Sequence, residues 1–175
     1  NMLEKEAIGL SWLGTFHSVS AKLLRKHASA ASLNSNFSII DQDDQIRLIK
    51  NICKSENIDI KKLAPNYILS IINGWKNKGL YPEKVIPSKK NIFEKGILKI
   101  YKIYQSKLLN LNACDFGDLI LHCVNIFEKN NDILKIYSNN FKYILVDEYQ
   151  DTNFIQSKWL NLLSIKHKNI CCVGD

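Results

Sequence analysis

Asp147 and Glu148 are the residues whose setting gives them chemical meaning. They follow directly on Ile144-Leu145-Val146, a short uninterrupted apolar run. Such a run predicts a strand of a parallel sheet buried on both faces. In open α/β sheets ligands bind beyond the carboxyl ends of the strands. Phosphoryl-transfer sites need one acid there to hold Mg²⁺ and another group to orient the attacking water. Adjacent acids suit that division of labour, because successive side chains leave a strand end in different directions. Polar Gln150, Asp151, Thr152 and Asn153 come next, and then an apolar pattern of helical spacing. A bare Asp-Glu pair is far more often solvated surface than catalytic. The weight rests on the whole string.

From Asp147 to Asn153 that string reads Asp-Glu-Tyr-Gln-Asp-Thr-Asn. It resembles motif II, the Walker B box, of superfamily 1 DNA helicases of the UvrD/PcrA/Rep type, and it matches that pattern at every position. The resemblance implies that Asp147 binds the cofactor by coordinating the Mg²⁺ of Mg-ATP. It implies that Glu148 polarises the hydrolytic water and that Gln150 links nucleotide state to DNA. Gly14-Thr15-Phe16-His17-Ser18 resembles motif Ib, which lies against single-stranded DNA. Thr15, Phe16 and His17 supply a hydroxyl, a ring and an imidazole, suitable partners for phosphates and bases. By itself His17 reads more readily as a satisfied core histidine. Asp115-Phe116-Gly117-Asp118-Leu119-Ile120 resembles the Asp-Phe-x-Asp-Leu-Leu element that precedes motif II. A capped helix packing on the core explains nearly all of it, so it counts as a family marker and not as a chemical site. Ile170-Cys171-Cys172-Val173-Gly174-Asp175 reads as a second buried strand and resembles the start of motif III.

The elements that must position these residues are mostly helical. Val19, Leu23 and Leu24 recur at helical spacing after a short strand-like segment near Trp12–Thr15, with Thr15 or Ser18 as N-cap. Ile46, Ile49 and Cys53 form one stripe, with acids in the first turn of their helix as its dipole prefers. Pro65 opens a helix through Trp75, and a long helix runs from about Lys90 to Asn110. Between Lys61 and Lys107 lie 11 lysines and only two acids, interleaved with Trp75, Tyr81, Phe93, Tyr101 and Tyr104. Basic chains neutralise phosphates and aromatic faces stack on bases, so Trp75, Lys76 and Lys78 are candidate DNA contacts. Phe93 and Tyr104 are assigned to the helical core.

The 175 residues carry a net charge of +7, unevenly spread. Residues 1–110 hold 18 Lys/Arg against 9 Asp/Glu, and residues 111–175 hold 6 against 8. A basic body on an acidic strand end fits a polyanion-binding protein, although a lysine-rich solvated surface gives the same totals. No apolar run approaches the roughly 20 residues needed to span a membrane, and the first residues lack a signal-peptide pattern. Five cysteines without Cys-x-x-Cys spacing argue against a disulfide framework or zinc site and for a reducing, cytoplasmic setting. Cys171 and Cys172 read as small core residues.

The resemblance implies a mainly α-helical insertion domain, called 1B, joined to part of a RecA-like α/β domain of the P-loop NTPase fold. Residues 1–15 and 141–175 are assigned to the RecA-like domain 1A and 16–140 to 1B. The implied cofactors are ATP and Mg²⁺. The implied partners are single-stranded and duplex DNA, the remaining RecA-like domains, and repair proteins. The complete protein is expected to translocate 3′→5′ on single-stranded DNA and unwind duplex in repair or replication. No Gly-x-x-x-x-Gly-Lys-Ser/Thr phosphate loop occurs in the 175 residues, so this chain alone is expected to lack ATPase activity. Other readings are a stand-alone nucleic-acid-binding or protein-interaction module derived from 1B, and the motor part of an AddA/RecB-type helicase–nuclease. A metal-dependent phosphohydrolase on Asp147, Glu148 and Asp151 is weaker, for no further acid or histidine cluster completes a two-metal site.

Overall fold

The computed structural model describes residues 12–88 and 92–175. Residues 1–11 and 89–91 lie outside them, and the long helix expected from about Lys90 begins at Glu94, because Ile92 and Phe93 form a turn. Helix α1 (Phe16–Lys26) begins at Thr15, whose Oγ1 accepts the Ser18 N–H. Of the two candidate caps, Thr15 is the one used. Residues 12–15 form no strand, because the extended backbone at Thr15 is the cap itself.

The chain then crosses to a helical unit at a narrow neck. Strand β1 (Ser38–Ile39) pairs in parallel with β2 (Ala113–Cys114), so the points of departure and return lie side by side. Asn112 clamps the neck, its side chain accepting from Asn34 N–H and donating to Asn36 Oδ1. Between these strands come α2 (Gln42–Ser55), capped by Asp41, α3 (Pro65–Asn77), and α4 (Glu94–Asn110). Ile49, Ile52, Ile68, Ile72, Ile97, Ile100, Tyr101 and Tyr104 fill the space between them and form their own core. Tyr104 is buried there as expected, whereas Phe93 is 42% exposed just before the first turn of α4.

After β2 come α5 (Phe116–Lys129), α6 (Asn131–Asn140), β3 (Ile144–Val146), α7 (Phe154–Ser164) and β4 (Ile170–Cys172). A second core gathers Leu23, Leu24, Leu119, Val124, Phe127, Tyr137, Val146, Trp159 and Leu160 from α1, α5, α6, β3 and α7. Strands β3 and β4 pair in parallel, with Ile144 opposite Ile170 and Val146 opposite Cys172. Both strands fall where the apolar runs predict them. Their burial differs from expectation. Val146 is buried, but Leu145 is 83% exposed and Cys171 and Cys172 are exposed too. Val146 packs on the helices of the second core, whereas Leu145 points the other way and β4, Cys172 beside Val146 included, has no cover among the described residues.

Candidate functional site

The acidic loop sits at the carboxyl ends of β3 and β4, where a parallel sheet presents ligand sites. Two backbone bonds hold it to the end of β4: Val173 N–H donates to Val146 O (2.8 Å) and Tyr149 N–H to Val173 O (2.9 Å). Between these anchors the chain must turn sharply, and Glu148 takes it through a left-handed backbone (φ 52°, ψ 43°). A non-glycine residue in that region carries strain of order 1 kcal/mol or more and marks functional loops. Asp147 Oδ1 accepts the Glu148 N–H at 3.0 Å, and Gln150 Nε2 donates to Glu148 Oε2 at 2.5 Å. Asp147, Glu148 and Gln150 are all exposed. The structure therefore brings the three expected nucleotide-site residues together on one open edge. Gly174 lies against Gln150 so closely that a β-carbon there would overlap its side-chain oxygen. Glycine at this position leaves Gln150 the space to lie toward Glu148.

Thr15, Phe16 and His17 occupy the start of α1. Thr15 is exposed, Phe16 is half-buried edge-on to Trp159 (5.9 Å), and His17 is half-buried edge-on to Phe116 (5.7 Å). Phe116 opens α5 and is itself 50% exposed, so it extends the surface of His17 with a second accessible ring. In the sequence Phe116 carries no signal of this beyond its place in the Asp115–Ile120 element.

Of the three residues assigned to DNA on the basic stretch, Lys78 is exposed and two are not. Trp75 is buried and stacks on Tyr101 (5.8 Å between centroids). Lys76 is 1% exposed, its ammonium wholly enclosed. Neither side chain reaches a surface, so the expectation of DNA contact is corrected for both. The alternation of lysines and aromatics along α3 does not reveal which way each one faces. The 3.6-residue period places Trp75 and Lys76 inward with Ile68, Leu69 and Ile72.

The sequence profile of the UvrD/REP helicase N-terminal domain matches residues 1–175. The chain belongs to that family. It is 46% identical over 166 residues to a probable DNA helicase II homolog of Rickettsia conorii, covering 93% of this chain and 25% of the relative. It is 47% identical over 167 residues to DNA helicase II of Rickettsia typhi, again 93% of this chain and 25% of the relative. The ATP-dependent DNA helicase PcrA of Staphylococcus epidermidis is 42% identical over 164 residues, 94% of this chain and 22% of that protein. The chain thus spans about a quarter of the length of the curated relatives it matches. A mostly helical body with short parallel strands is the form this UvrD-type domain takes.

Inside this UvrD-family domain, Lys76 meets the Asp115–Asp118 element. Its Nζ lies 2.6 Å from Asp115 Oδ2 and 2.7 Å from Asp118 Oδ1. Every carboxylate oxygen is engaged. Asp115 Oδ1 accepts the Asp118 N–H, Tyr104 donates its hydroxyl to Asp115 Oδ2, Gln105 donates to Asp118 Oδ1, and Asp118 Oδ2 takes the Asp115 N–H. The last pair with Asp118 N–H is a capping box for α5. Gly117 makes the approach possible, because a β-carbon there would press on the Lys76 stem at about 3.0 Å. Burial alone would lower the Lys76 pKa, but the two carboxylates outweigh it and hold it above the ordinary lysine value. Asp115 is pushed up by burial and by Asp118. Asp118, despite burial, is held below the usual value by Lys76 and His122. What reads as a family marker is a buried charge cluster.

His122, one turn along α5, shares a hydrogen bond with the Tyr81 hydroxyl through Nδ1 (2.6 Å). Burial raises the Tyr81 pKa well above its ordinary value, so Tyr81 keeps its proton. Burial also pushes the His122 pKa below the ordinary histidine value. The unfolded chain therefore binds this proton more readily, and the stabilising contribution, complete above pH 6.5, is lost as pH falls below it. Urea midpoints are expected to drop between pH 7 and pH 5.5, with a shallower drop in His122→Gln. An equal slope in that variant refutes the assignment.

Proposed function

We propose that this chain is the part of an ATP-dependent DNA helicase that handles magnesium and the hydrolytic water, together with the helical unit between motifs Ib and II. The observation that carries this reading is the Glu148–Gln150 hydrogen bond in an acidic loop at the carboxyl end of β3. Asp147 is the residue to hold Mg²⁺. One of its oxygens takes a backbone N–H, which leaves the other for a cation. No group of three or more candidate ligands occurs among the described residues, and Mg²⁺ bound by one carboxylate, waters and phosphates needs none. The ion, when bound with ATP, neutralises charge on the phosphate oxygens. Glu148, aimed by its left-handed backbone and by Gln150, takes a proton from the attacking water. Gln150, lying between Glu148 and Gly174, registers movement of the β4 end.

Residues 1–15 and 141–175 are read as RecA-like domain 1A and 16–140 as domain 1B. The separate core of α2, α3 and α4 supports a narrower body for 1B, from about Gln42 to Ala113. The complete protein then works in the cytoplasm, driving 3′→5′ translocation on single-stranded DNA and duplex unwinding in repair or replication. The phosphate loop that such a motor requires is read as part of the same RecA-like domain 1A of the complete protein. Repair proteins are the expected macromolecular partners besides DNA.

Thr15, His17 and Phe116 are placed on the single-strand side, with Lys78 on the basic face. Titration of this chain with labelled single-stranded oligonucleotides is expected to give binding whose logarithm falls with log salt at a slope near −2 or steeper, about three neutralised phosphates. Phe116→Ala is expected to weaken binding by about 1–3 kcal/mol, the worth of one stacked base. Salt-insensitive or absent binding would assign the lysines to a solvated surface.

A further inference from the structure

Helix α3 belongs to the core of the helical unit, yet its last turn reaches the acidic loop. Asn77 Oδ1 accepts a hydrogen bond from Asn153 Nδ2 at 3.1 Å, across 76 residues of sequence. The orientation of Asn153 leaves little choice in this contact. Its Oδ1 must face the Gln156 N–H (3.0 Å), because Asn153 caps α7 in a capping box. Its NH₂ is then turned outward, toward Asn77 Oδ1, which accepts from it. Asn77 in turn cannot drift, for the preceding residue is Lys76. An ammonium held by two buried carboxylates resists displacement, since moving it would leave uncompensated charge in the core.

We infer that Asn77 is a positioning residue for the acidic loop, the point at which α3 and the start of α5 set the placement of Asp147–Asn153. The chain of contacts is continuous. Phe116 follows the cap Asp115, Asp115 holds Lys76, and Lys76 precedes Asn77. Asn77 holds Asn153, and Asn153 ends a loop closed by Asp151 N–H on Glu148 O and Thr152 N–H on Tyr149 O. A ligand bearing on Phe116 thus has a connected route of hydrogen bonds and one buried ion pair to Glu148. The consequence for hydrolysis rests on the nucleotide-site reading above; the placement of the loop does not.

Asn77 is exposed, so its substitution tests the contact and not the fold. Amide hydrogen exchange on this chain is expected to speed up about fivefold at Gln156 in Asn77→Ala, the loss of one neutral hydrogen bond. Amides of α2 should not change, and Asn77→Asp, which keeps the acceptor, should restore protection. Unchanged exchange at Gln156, equal acceleration throughout α2, or failure of the aspartate to rescue would each overturn the inference. In the complete protein, Asn77→Ala is expected to lower kcat for DNA-stimulated ATP hydrolysis and leave KM for ATP in place, with Asn77→Asp again recovering it. A rise in KM for ATP alone, or no fall in kcat, would count against the positioning role. A complete protein without any ATP hydrolysis would defeat the nucleotide-site reading, while the exchange result would still decide the role of Asn77.

Discussion

Lys76→Met is expected to destabilise the chain by about 3–5 kcal/mol. The replacement fits the space of the lysine stem but leaves Asp115 and Asp118 facing each other at about 1% exposure without a cation. Breaking a buried pair costs far more than the pair contributes, because the survivor is a desolvated charge with no partner. The two orphaned acids will meet that cost by holding protons. Their folded-state pKa values then lie above the unfolded ones, so their contribution is intact at low pH and lost as pH rises through the folded values. The deficit relative to wild type should accordingly shrink toward pH 4. Adding Asp115→Asn and Asp118→Asn to Lys76→Met removes both charges while Asn still caps α5, and should recover most of the loss. Urea unfolding followed by circular dichroism measures all three chains. A loss below about 1 kcal/mol for Lys76→Met would mean that the cluster is hydrated and not the buried junction described.

Glu148→Gln in the complete helicase is expected to lower kcat for DNA-stimulated ATP hydrolysis by about 10²–10⁴, the usual worth of a positioned general base. The amide is nearly the same size, and its oxygen can still accept from Gln150 Nε2, so the loop should keep its shape. Asp147 is untouched, and KM for ATP should stay within a few fold. A fall in kcat without a rise in KM marks a group that acts in the transition state and not in ground-state binding. Steady-state phosphate release with and without single-stranded DNA is the measurement. A fall of less than tenfold would move the water-handling role away from Glu148.

The acidic loop was legible because its information is local. An apolar run, two acids and a polar turn follow one another directly, and the parallel pair of β3 and β4 puts them at a strand end as that order requires. The helices α1 to α5 were equally readable from their apolar periods, and the caps Thr15 and Asp115 from residue type. The direction in which individual side chains face was harder. Leu145, Cys171 and Cys172 read as buried because their runs are apolar, but burial depends on what covers a sheet.

Sequence alone determined the helical character of the body and the acid pair at the end of a strand, because each of these depends on neighbours within a few residues. The tertiary structure decided that Lys76 is a core ion and not a phosphate contact, that Phe116 shares a surface with His17, and that Asn77 reaches Asn153. Lys76 finds its carboxylates 39 or more residues away, and Asn77 its partner 76 residues away. No pattern of spacing encodes such pairs. They arise when α3 packs on α5 and α7 at once, and the cost of burying a lone charge then selects the partners.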